Sequence, residues 1–375
     1  MKKIPFLSIA IMSLLLLTII ACDPDPVDPD PIDEQNDLLE FAYEPEAYEL
    51  DYPDWLGQIE IPEDNPMTVQ GIELGRRLFY DPILSADSTM SCSSCHNPVQ
   101  SFTDGLATSP GVDGTLGRRS AMSLINIAFV NNGLNWNGSA QTLEEQALEP
   151  VVNEVELHET WPNVISKLQS HDTYPQLFRE AFGIADRDAM TKELAAKAIA
   201  QFERTLISYQ SRYDKIRFST GTGNFYEDDE LNGRDLFFFE LATGLDHPGC
   251  SHCHGGVQFS EPAFFNNGIT EAATFADFPD KGLGEVTNVP SDNGLFRPPS
   301  LRNITLTAPY MHDGRFATLE EVIDHYKSGG HPSPNVSANI RPFTLSDEDR
   351  DNLIAFLHTL TDTSFINNPA FQNPF

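Results

Sequence analysis

Two copies of the pentapeptide Cys-x-x-Cys-His constrain this chain more than any other feature. They occupy residues 92–96 and 250–254 of the 375-residue sequence. The pattern is that of c-type haem attachment, in which two thioether bonds hold the porphyrin and the adjacent His reaches the iron. A zinc site would leave the paired His residues unexplained, and a thioredoxin-like redox pair needs no His. We therefore expect two covalent c-type haems, held by Cys92, Cys95, His96, Cys250, Cys253 and His254.

The two pentapeptides belong to a longer internal repeat with a single offset of 158 residues. The motif Gly-Arg-x-Leu-Phe precedes each of them at this offset, and a Val-Gln pair follows each. A register held across three motifs indicates two copies of one supersecondary unit. We expect two cytochrome c-like domains, an N-terminal one at 51–222 and a C-terminal one at 223–375, with the boundary in a Gly-rich polar stretch.

The spacing of apolar residues predicts a mainly α fold. Helix starts are marked by Ser or Thr with an acidic residue three positions later, and helix bodies by apolar residues at helical spacing. The expected helices cover 71–79, 190–216, 228–238, 318–327 and 346–360. Repeated Gly and Pro make 278–299 a long loop, and no segment shows convincing strand periodicity.

The N-terminus has the composition of an export signal. Lys2 and Lys3 precede an uncharged apolar run that closes on Ile-Ile-Ala-Cys22, which resembles a bacterial lipobox with Cys22 as the acylated residue. We expect a lipoprotein signal at 1–22, an acidic Pro-rich tether at 23–50, and an extracytoplasmic, membrane-anchored remainder on the periplasmic or cell-surface side. An uncleaved transmembrane anchor is the alternative, because the apolar run is just long enough to span a bilayer.

The charge balance excludes one large class of function. The chain has 56 acidic and 23 basic side chains, a formal net charge of -33. Nucleic-acid binding needs clustered Lys and Arg to neutralise phosphates, so we expect no nucleic-acid partner. A solvated surface explains the acidic excess, and docking of a basic partner is the more specific explanation.

Two haems do not by themselves make an enzyme. If both irons had two strong protein ligands, the protein would only carry electrons. Catalysis requires one iron with an open face and an acid or base beside it.

In the order of its motifs the sequence resembles the bacterial dihaem cytochrome c peroxidases and their relative MauG. The resemblance covers about residues 50–362, and only the export signal and the tether fall outside it. Besides the two haem motifs, the matching segments are 75–79, 136–138, 143–147, 153–156, 296–303 and 307–314.

The resemblance implies a division of labour between the haems. The haem on His96 would be the peroxide site, and the haem on His254 would be the electron relay. Glu156 matches the carboxylate that moves a proton during cleavage of the peroxide O–O bond, and Gln146 matches a neighbour able to hydrogen-bond the peroxide. Trp136 matches the Trp that lies between the two haems.

One departure and one ambiguity concern the distal iron ligands. Classical members cap the resting peroxide-site iron with a His some sixteen residues after the first haem motif, whereas 109–114 contains no His here. The first haem is therefore predicted to be five-coordinate or water-capped at rest, as the resemblance to MauG also suggests. For the second haem the resemblance favours Tyr326 as the distal ligand, with Met311 and His325 as rivals.

The family also implies a calcium ion between the domains, bound by backbone oxygens at Thr307 and Pro309 and by an Asn side chain. Ser120 stands at the Asn position here, so the expected amide ligand is absent and other oxygens would have to replace it. The sequence leaves the oligomeric state open, with a homodimer among the candidate states.

The sequence thus predicts a dihaem peroxidase that reduces hydrogen peroxide to water with electrons from a small cytochrome or similar carrier. A MauG-like oxidase of a protein or organic substrate is the first alternative. A non-catalytic dihaem electron carrier is the second.

Overall fold

The computed structural model describes Met1 and residues 37–219, 223, 225–238 and 248–375. The predicted signal, Cys22 and the first part of the predicted tether lie outside these residues, as does most of the predicted domain boundary. Among the helices of the described residues, none combines the length and apolar character needed to cross a membrane.

The fold is mainly helical, as predicted, and the described β structure consists of isolated bridges. The α-helices are α1 Val69–Tyr80, α2 Cys92–Cys95, α3 Leu143–Val152, α4 Trp161–Gln169, α5 Tyr174–Phe182, α6 Lys192–Arg204, α7 Arg212–Phe218, α8 Asp228–Phe238, α9 Gly284–Thr287, α10 Leu319–Ser328, α11 Asp347–His358 and α12 Thr363–Ile366. Short 3-10 helices lie at Asp54–Leu56, Pro82–Leu84, Pro98–Gln100, Ile127–Phe129, Arg187–Ala189, Cys250–His252, Phe275–Asp277, Pro290–Asp292, Ile304–Leu306 and Pro369–Phe371.

The internal repeat corresponds to a repeated helix crossing. Helix α1 packs on α6 in the first copy, and α8 packs on α11 in the second. A Cβ placed on Gly75 would overlap the carbonyl oxygen of Ala198, and one placed on Gly233 would overlap that of Asn352. The Gly of each Gly-Arg-x-Leu-Phe motif therefore allows the two backbones to touch, while the Phe that follows it is buried in the core.

The cores follow the two copies of the repeat. Two clusters of buried side chains lie around α1, α3, α5 and α6, and a third lies around α8, α10 and α11. Phe365 and Phe371, near the C-terminus, pack into the cluster of the first copy. The last segment of the chain therefore returns to the N-terminal half, and the boundary at 222/223 stays a prediction.

One predicted helix is wrong in its length. The segment 190–216 forms two helices, α6 and α7, with non-helical backbone between them. Asn126 accepts a hydrogen bond from the backbone N–H of Ser208 at 2.6 Å, and Asp362 accepts one from that of Gln210 at 2.9 Å. Ser211 and Asp214 then form a capping box that starts α7. These side chains satisfy backbone groups that a continuous helix would have paired internally.

The other predicted helices are confirmed within a few residues, and α8 has the predicted bounds. Helix α10 begins with the expected capping box between Thr318 and Glu321. Ser346 accepts a hydrogen bond from the N–H of Asp349 at the start of α11. The predicted long loop at 278–299 also contains one helical turn, α9, and a 3-10 turn.

Candidate active site

The first haem motif forms a single helical turn, α2, that presents His96 at its end. Ser91 and Ser94 make a capping box at the start of the turn, and the His96 N–H donates to the Cys92 carbonyl at 3.0 Å. The Nδ1 of His96 lies 2.9 Å from the Phe102 carbonyl. Because a carbonyl only accepts, Nδ1 carries the proton, and Nε2 keeps its lone pair for a metal.

The second haem motif repeats this arrangement. The His254 N–H donates to the Cys250 carbonyl at 2.9 Å, and Nδ1 lies 3.2 Å from the Phe259 carbonyl and 3.1 Å from that of Pro299. Burial lowers the pKa of His254 to about 4. The neutral imidazole is the form that ligates iron, so both His residues are prepared as ligands.

The four cysteines of the motifs fit thioether attachment better than the rival chemistries. All four are unpaired, and burial raises the pKa of each thiol, that of Cys250 to about 12. Redox-active pairs need lowered thiol pKa values. No cluster of three His, Cys, Asp or Glu residues suited to a metal occurs in the described part of the chain. The zinc and thioredoxin-like alternatives therefore have no structural support.

A large cavity surrounds the second haem motif. Cys250, Cys253 and His254 line it, as do Met311 and Tyr326, two of the three candidate distal ligands. The third candidate, His325, is not among the lining residues, and its Nε2 lies 3.0 Å from the Asn267 carbonyl.

Asn267 connects the two candidate ligands that reach this cavity. Its Nδ2 donates to the Met311 Sδ at 3.3 Å and to the Tyr326 hydroxyl oxygen at 3.3 Å. Burial raises the pKa of Tyr326 to about 12, and the hydrogen bond from Asn267 opposes the shift. The tyrosine ligand stays a prediction.

Trp136 lies on the wall of the same cavity and is hydrogen-bonded to an earlier segment of the N-terminal half. Its Nε1 donates to the Ser120 carbonyl at 2.9 Å. Met122, two residues after Ser120, also lines the cavity, and its backbone acts to raise the pKa of His96 against the larger effect of burial. Trp136 therefore lines the cavity of the second motif, and its position between the two haems stays a prediction.

Glu156 lies in the short loop after α3. Desolvation by the surrounding protein raises its pKa, Glu149 adds to the effect, and a 2.6 Å hydrogen bond from Asn153 opposes it. The Glu156 carboxylate is near enough to Cys92 and Cys95 to raise the pKa of both thiols. Glu156 thus lies beside the first haem motif and is accessible to solvent.

The segment without a His packs directly against Glu156. Residues 109–117 form a tight hairpin, in which the N–H of Val112 donates to the Glu156 carbonyl at 2.8 Å. A Cβ on Gly111 would overlap the Val155 carbonyl oxygen. Gln146, the other residue predicted to meet peroxide, is half-buried on α3.

The residues of the predicted calcium site have other roles in the structure. Thr307 and Pro309 line the cavity of the second motif. Ser120, at the Asn position, donates through Oγ to the Met311 carbonyl at 3.0 Å and accepts from Trp136. Calcium stays a prediction.

Four polar residues near the motifs were not predicted from the sequence. Asn267 and Arg297 line the cavity of the second haem motif. His312 is buried against Phe296, with ring centroids 3.9 Å apart. Glu203 is buried near Cys92, and its Oε2 has no hydrogen-bond partner in the described structure. Of these four residues, only Arg297 and His312 could have been found from the sequence, because both stand in segments that carry the family resemblance.

Comparison with known proteins identifies the family to which the chain is similar. A family described as di-haem cytochrome c peroxidase matches residues 69–221. The methylamine utilization protein MauG of Methylorubrum extorquens is 34% identical over 301 residues, 80% of either chain. The cytochrome-c peroxidase IdrP1 of a Pseudomonas species is 33% identical over 332 residues, 82% of this chain and 84% of that protein. The crystal structure of a MauG-like protein associated with microbial copper homeostasis superposes with a TM-score of 0.77 at 35% identity, covering 88% of this chain and 99% of that one.

Proposed function

The chain belongs to the dihaem cytochrome c peroxidase and MauG family, and on that premise we propose that it reduces hydrogen peroxide to water at the haem held by His96. The electrons come from a small cytochrome or similar carrier through the haem held by His254. The single observation that carries this assignment is Glu156, a carboxylate with a raised pKa beside the first haem motif.

Glu156 moves the proton. The haem held by His96 would supply the binding site for peroxide and the redox chemistry. The Glu156 carboxylate accepts a proton from one peroxide oxygen and returns it to the oxygen that leaves as water, so no proton has to cross bulk solvent. Its raised pKa suits both halves of this cycle, since the group must hold the proton and then release it. Gln146 orients the peroxide by a hydrogen bond.

Trp136 is the residue that we assign to electron transfer between the halves of the molecule. It lines the cavity of the second motif, and it donates a hydrogen bond to Ser120, two residues before Met122, whose backbone influences the pKa of His96. An indole at this position would give electrons a shorter route than solvent does.

The 109–117 hairpin argues for an enzyme that is active in its fully oxidised state. It occupies the space beside Glu156 and contains no His, Met or Cys that could cap an iron. We therefore propose that the first haem keeps an open or water-bound face at rest, and that no prior reduction is needed.

A MauG-like oxidation of a protein or organic substrate is the second candidate. Two observations favour it: the 109–117 hairpin lacks the capping His, and Tyr326 lines the cavity of the second haem motif. A phenolate ligand would favour the ferric state of the second haem and oppose its use as a rapid electron relay.

Steady-state oxidation of a reduced cytochrome c by hydrogen peroxide separates the two candidates. A cytochrome c peroxidase turns over many equivalents of reduced cytochrome for each enzyme molecule. Consumption of peroxide without catalytic cytochrome oxidation would contradict the proposal and leave the MauG-like reaction as the better account.

We also propose that the protein is exported and anchored by acylation of Cys22, because the sequence around it resembles a lipobox. Mass spectrometry of the protein from membranes of the expressing bacterium tests this: a diacylated or triacylated N-terminal Cys22 is expected. An intact N-terminus that retains residues 1–21 would contradict the lipoprotein assignment.

Calcium at Thr307 and Pro309, and a homodimer, complete the proposal. Thr307 and Pro309 lie on the cavity wall that Trp136 shares, so a cation there would stiffen the contact between the halves. Removing calcium with a chelator should change the spectrum of the second haem, and sedimentation analysis reports the oligomeric state.

A further inference from the structure

The described part of the chain buries three arginines almost completely, and two of them have carboxylate partners. Arg204 donates from Nη2 to Glu144 at 2.8 Å. Arg302 makes a bidentate pair with Asp214, at 2.8 and 2.9 Å. Both pairs follow the general rule that a buried charge is accompanied by an opposite one.

Arg297 is the exception. It is 4% exposed, and the contacts of its guanidinium are neutral: Nε donates to the Asn135 carbonyl at 3.3 Å, and Nη2 lies 3.5 Å from the Met122 Sδ. No carboxylate of the described residues pairs with it, and Nη1 makes no hydrogen bond to them. Burial lowers the pKa of Arg297 to about 10, and no acidic neighbour opposes this shift. A guanidinium still remains charged at neutral pH.

The position of Arg297 shows where the missing anion belongs. Its side chain lines the cavity that also contains Cys250, Cys253 and His254. Its backbone N–H donates to the Trp136 carbonyl at 2.9 Å. Arg297 also lines a smaller neighbouring cavity, which contains no residue of either haem motif. A buried cation without an anion is unfavourable, and the cavity of the second haem motif is the one whose occupant would bring an anion. A c-type haem has two propionate carboxylates, and a guanidinium matches a carboxylate in geometry as well as in charge.

We propose that Arg297 pairs with a propionate of the His254 haem, and that its positive charge makes this haem easier to reduce. The proposal requires only that haem is attached at His254 and does not depend on peroxide turnover. Because Arg297 also hydrogen-bonds Trp136 through its backbone, the pair would fix the propionate edge of the haem near the residue that we assign to electron transfer. Arg297 is then a positioning residue and acts through the haem.

The test measures the reduction midpoint potential of each haem in the Arg297→Gln and Arg297→Lys variants. Spectroelectrochemistry is used, on protein with both haems attached. Arg118→Gln is the matched control, since its side chain is 64% exposed and pairs with Glu285 at the surface. Mass spectrometry verifies the haem content of every variant. Electron paramagnetic resonance distinguishes the two irons.

We expect Arg297→Gln to lower the reduction midpoint potential of the His254 haem by at least 59 mV. For a one-electron couple this is a tenfold shift of the equilibrium towards the ferric form. Arg297→Lys should restore most of the difference, and Arg118→Gln should leave both midpoints unchanged. A Gln variant that loses the second haem while the Lys variant keeps it would also support the ion pair.

Three results would overturn the proposal. The first is an unchanged His254 midpoint in Arg297→Gln with both haems attached. The second is an equal change, or an equal loss of haem, in the Gln and Lys variants, which would show that packing of the side chain matters and its charge does not. The third is a shift confined to the His96 haem, which would assign the anion to the other cofactor.

Discussion

Two glutamates near the first haem motif differ in their exposure to solvent, and we expect them to have different roles. Glu156 is accessible yet has a raised pKa, as a group that exchanges protons with a substrate needs. Glu203 is almost fully buried on α6, and its Oε2 has no hydrogen-bond partner among the described residues. The first is expected to affect catalysis and the second to affect stability.

Replacement of Glu156 by Gln should slow the reaction of the ferric protein with hydrogen peroxide by about 100- to 10,000-fold, because an amide cannot transfer the proton. The measurement is stopped-flow absorbance in the Soret region. Glu154→Gln is the control, since Glu154 is an exposed neighbour in the same loop. A Glu156→Gln variant that reacts at the wild-type rate would remove Glu156 from the mechanism.

Glu203 predicts a pH dependence of stability. Burial raises its pKa from 4.5 to about 8, so the folded chain keeps a proton that the unfolded chain has already released. The stability contributed by protonated Glu203 is complete below pH 4.5 and is lost as the pH rises to about 8. Relative to the wild type, Glu203→Gln should gain stability across this range, by about 6 °C in melting temperature at pH 8.

Thermal unfolding of the wild type, Glu203→Gln and Glu193→Gln between pH 5 and pH 8 tests this. Glu193 lies on the same helix with a side chain 58% exposed, and its variant should follow the wild type. A difference between Glu203→Gln and the wild type that is the same at both pH values would show that Glu203 does not carry the linked proton.

At the residue scale, the sequence predicted what local chemistry determines. The haem motifs place Cys and His within one turn, so their roles need no knowledge of the rest of the fold. Arg297 has no acidic partner among the residues that the structure describes, Asn267 is a shared donor, and Glu203 is buried, and all three features arise from contacts between distant segments. No pattern within a short stretch of sequence reports such contacts.

Two glycines decide how the helices of each half cross. An Ala in the middle of a helix is ordinarily about 1 kcal/mol better than Gly. At Gly75 and Gly233 the added Cβ would overlap a backbone carbonyl of the partner helix, and overpacking of this kind costs about 1 to 3 kcal/mol or more. Packing therefore outweighs helix propensity, and Gly75→Ala and Gly233→Ala should each lower the melting temperature.

Gly117→Ala is the control for these variants, because its Cβ would meet only ordinary contacts, the nearest at 3.5 Å from the Ser109 carbonyl oxygen. Calorimetry of the three variants gives the comparison. If Gly75→Ala and Gly233→Ala were as stable as the wild type or more so, the helix crossing would not be as close as the structure has it.

At the element scale, helix starts were predictable because capping is local: Thr318 with Glu321 and Ser346 with Asp349 mark α10 and α11 in the sequence alone. The break between α6 and α7 was not predictable. Asn126 and Asp362, each far away in sequence, bind the backbone there and make a non-helical path favourable.

The whole molecule combines a strongly acidic surface with a proposed cytochrome donor. With a net charge of -33, the protein should attract a basic cytochrome at a distance, and salt screens this attraction. We expect kcat/KM for a basic cytochrome to fall about tenfold between 20 and 200 mM salt. The rate with peroxide, an uncharged substrate, should hardly change and serves as the control. A salt-independent kcat/KM for the cytochrome would show that docking does not use the acidic surface.

The two-domain organisation was predictable because the repeat has a fixed offset, which random similarity does not maintain over three motifs. The packing of Phe365 and Phe371 into the core of the first copy was not predictable, because it depends on the surface that the first copy leaves uncovered. Removal of this last segment is therefore expected to destabilise the N-terminal half.

The account rests centrally on an open peroxide site at the His96 haem that needs no prior reduction. The most direct test is the electron paramagnetic resonance spectrum of the fully ferric protein before and after addition of stoichiometric hydrogen peroxide. We predict one high-spin and one low-spin ferric signal, of which peroxide consumes the high-spin one. Two low-spin signals that peroxide leaves unchanged would contradict the account, because they would show a capping ligand on the first iron.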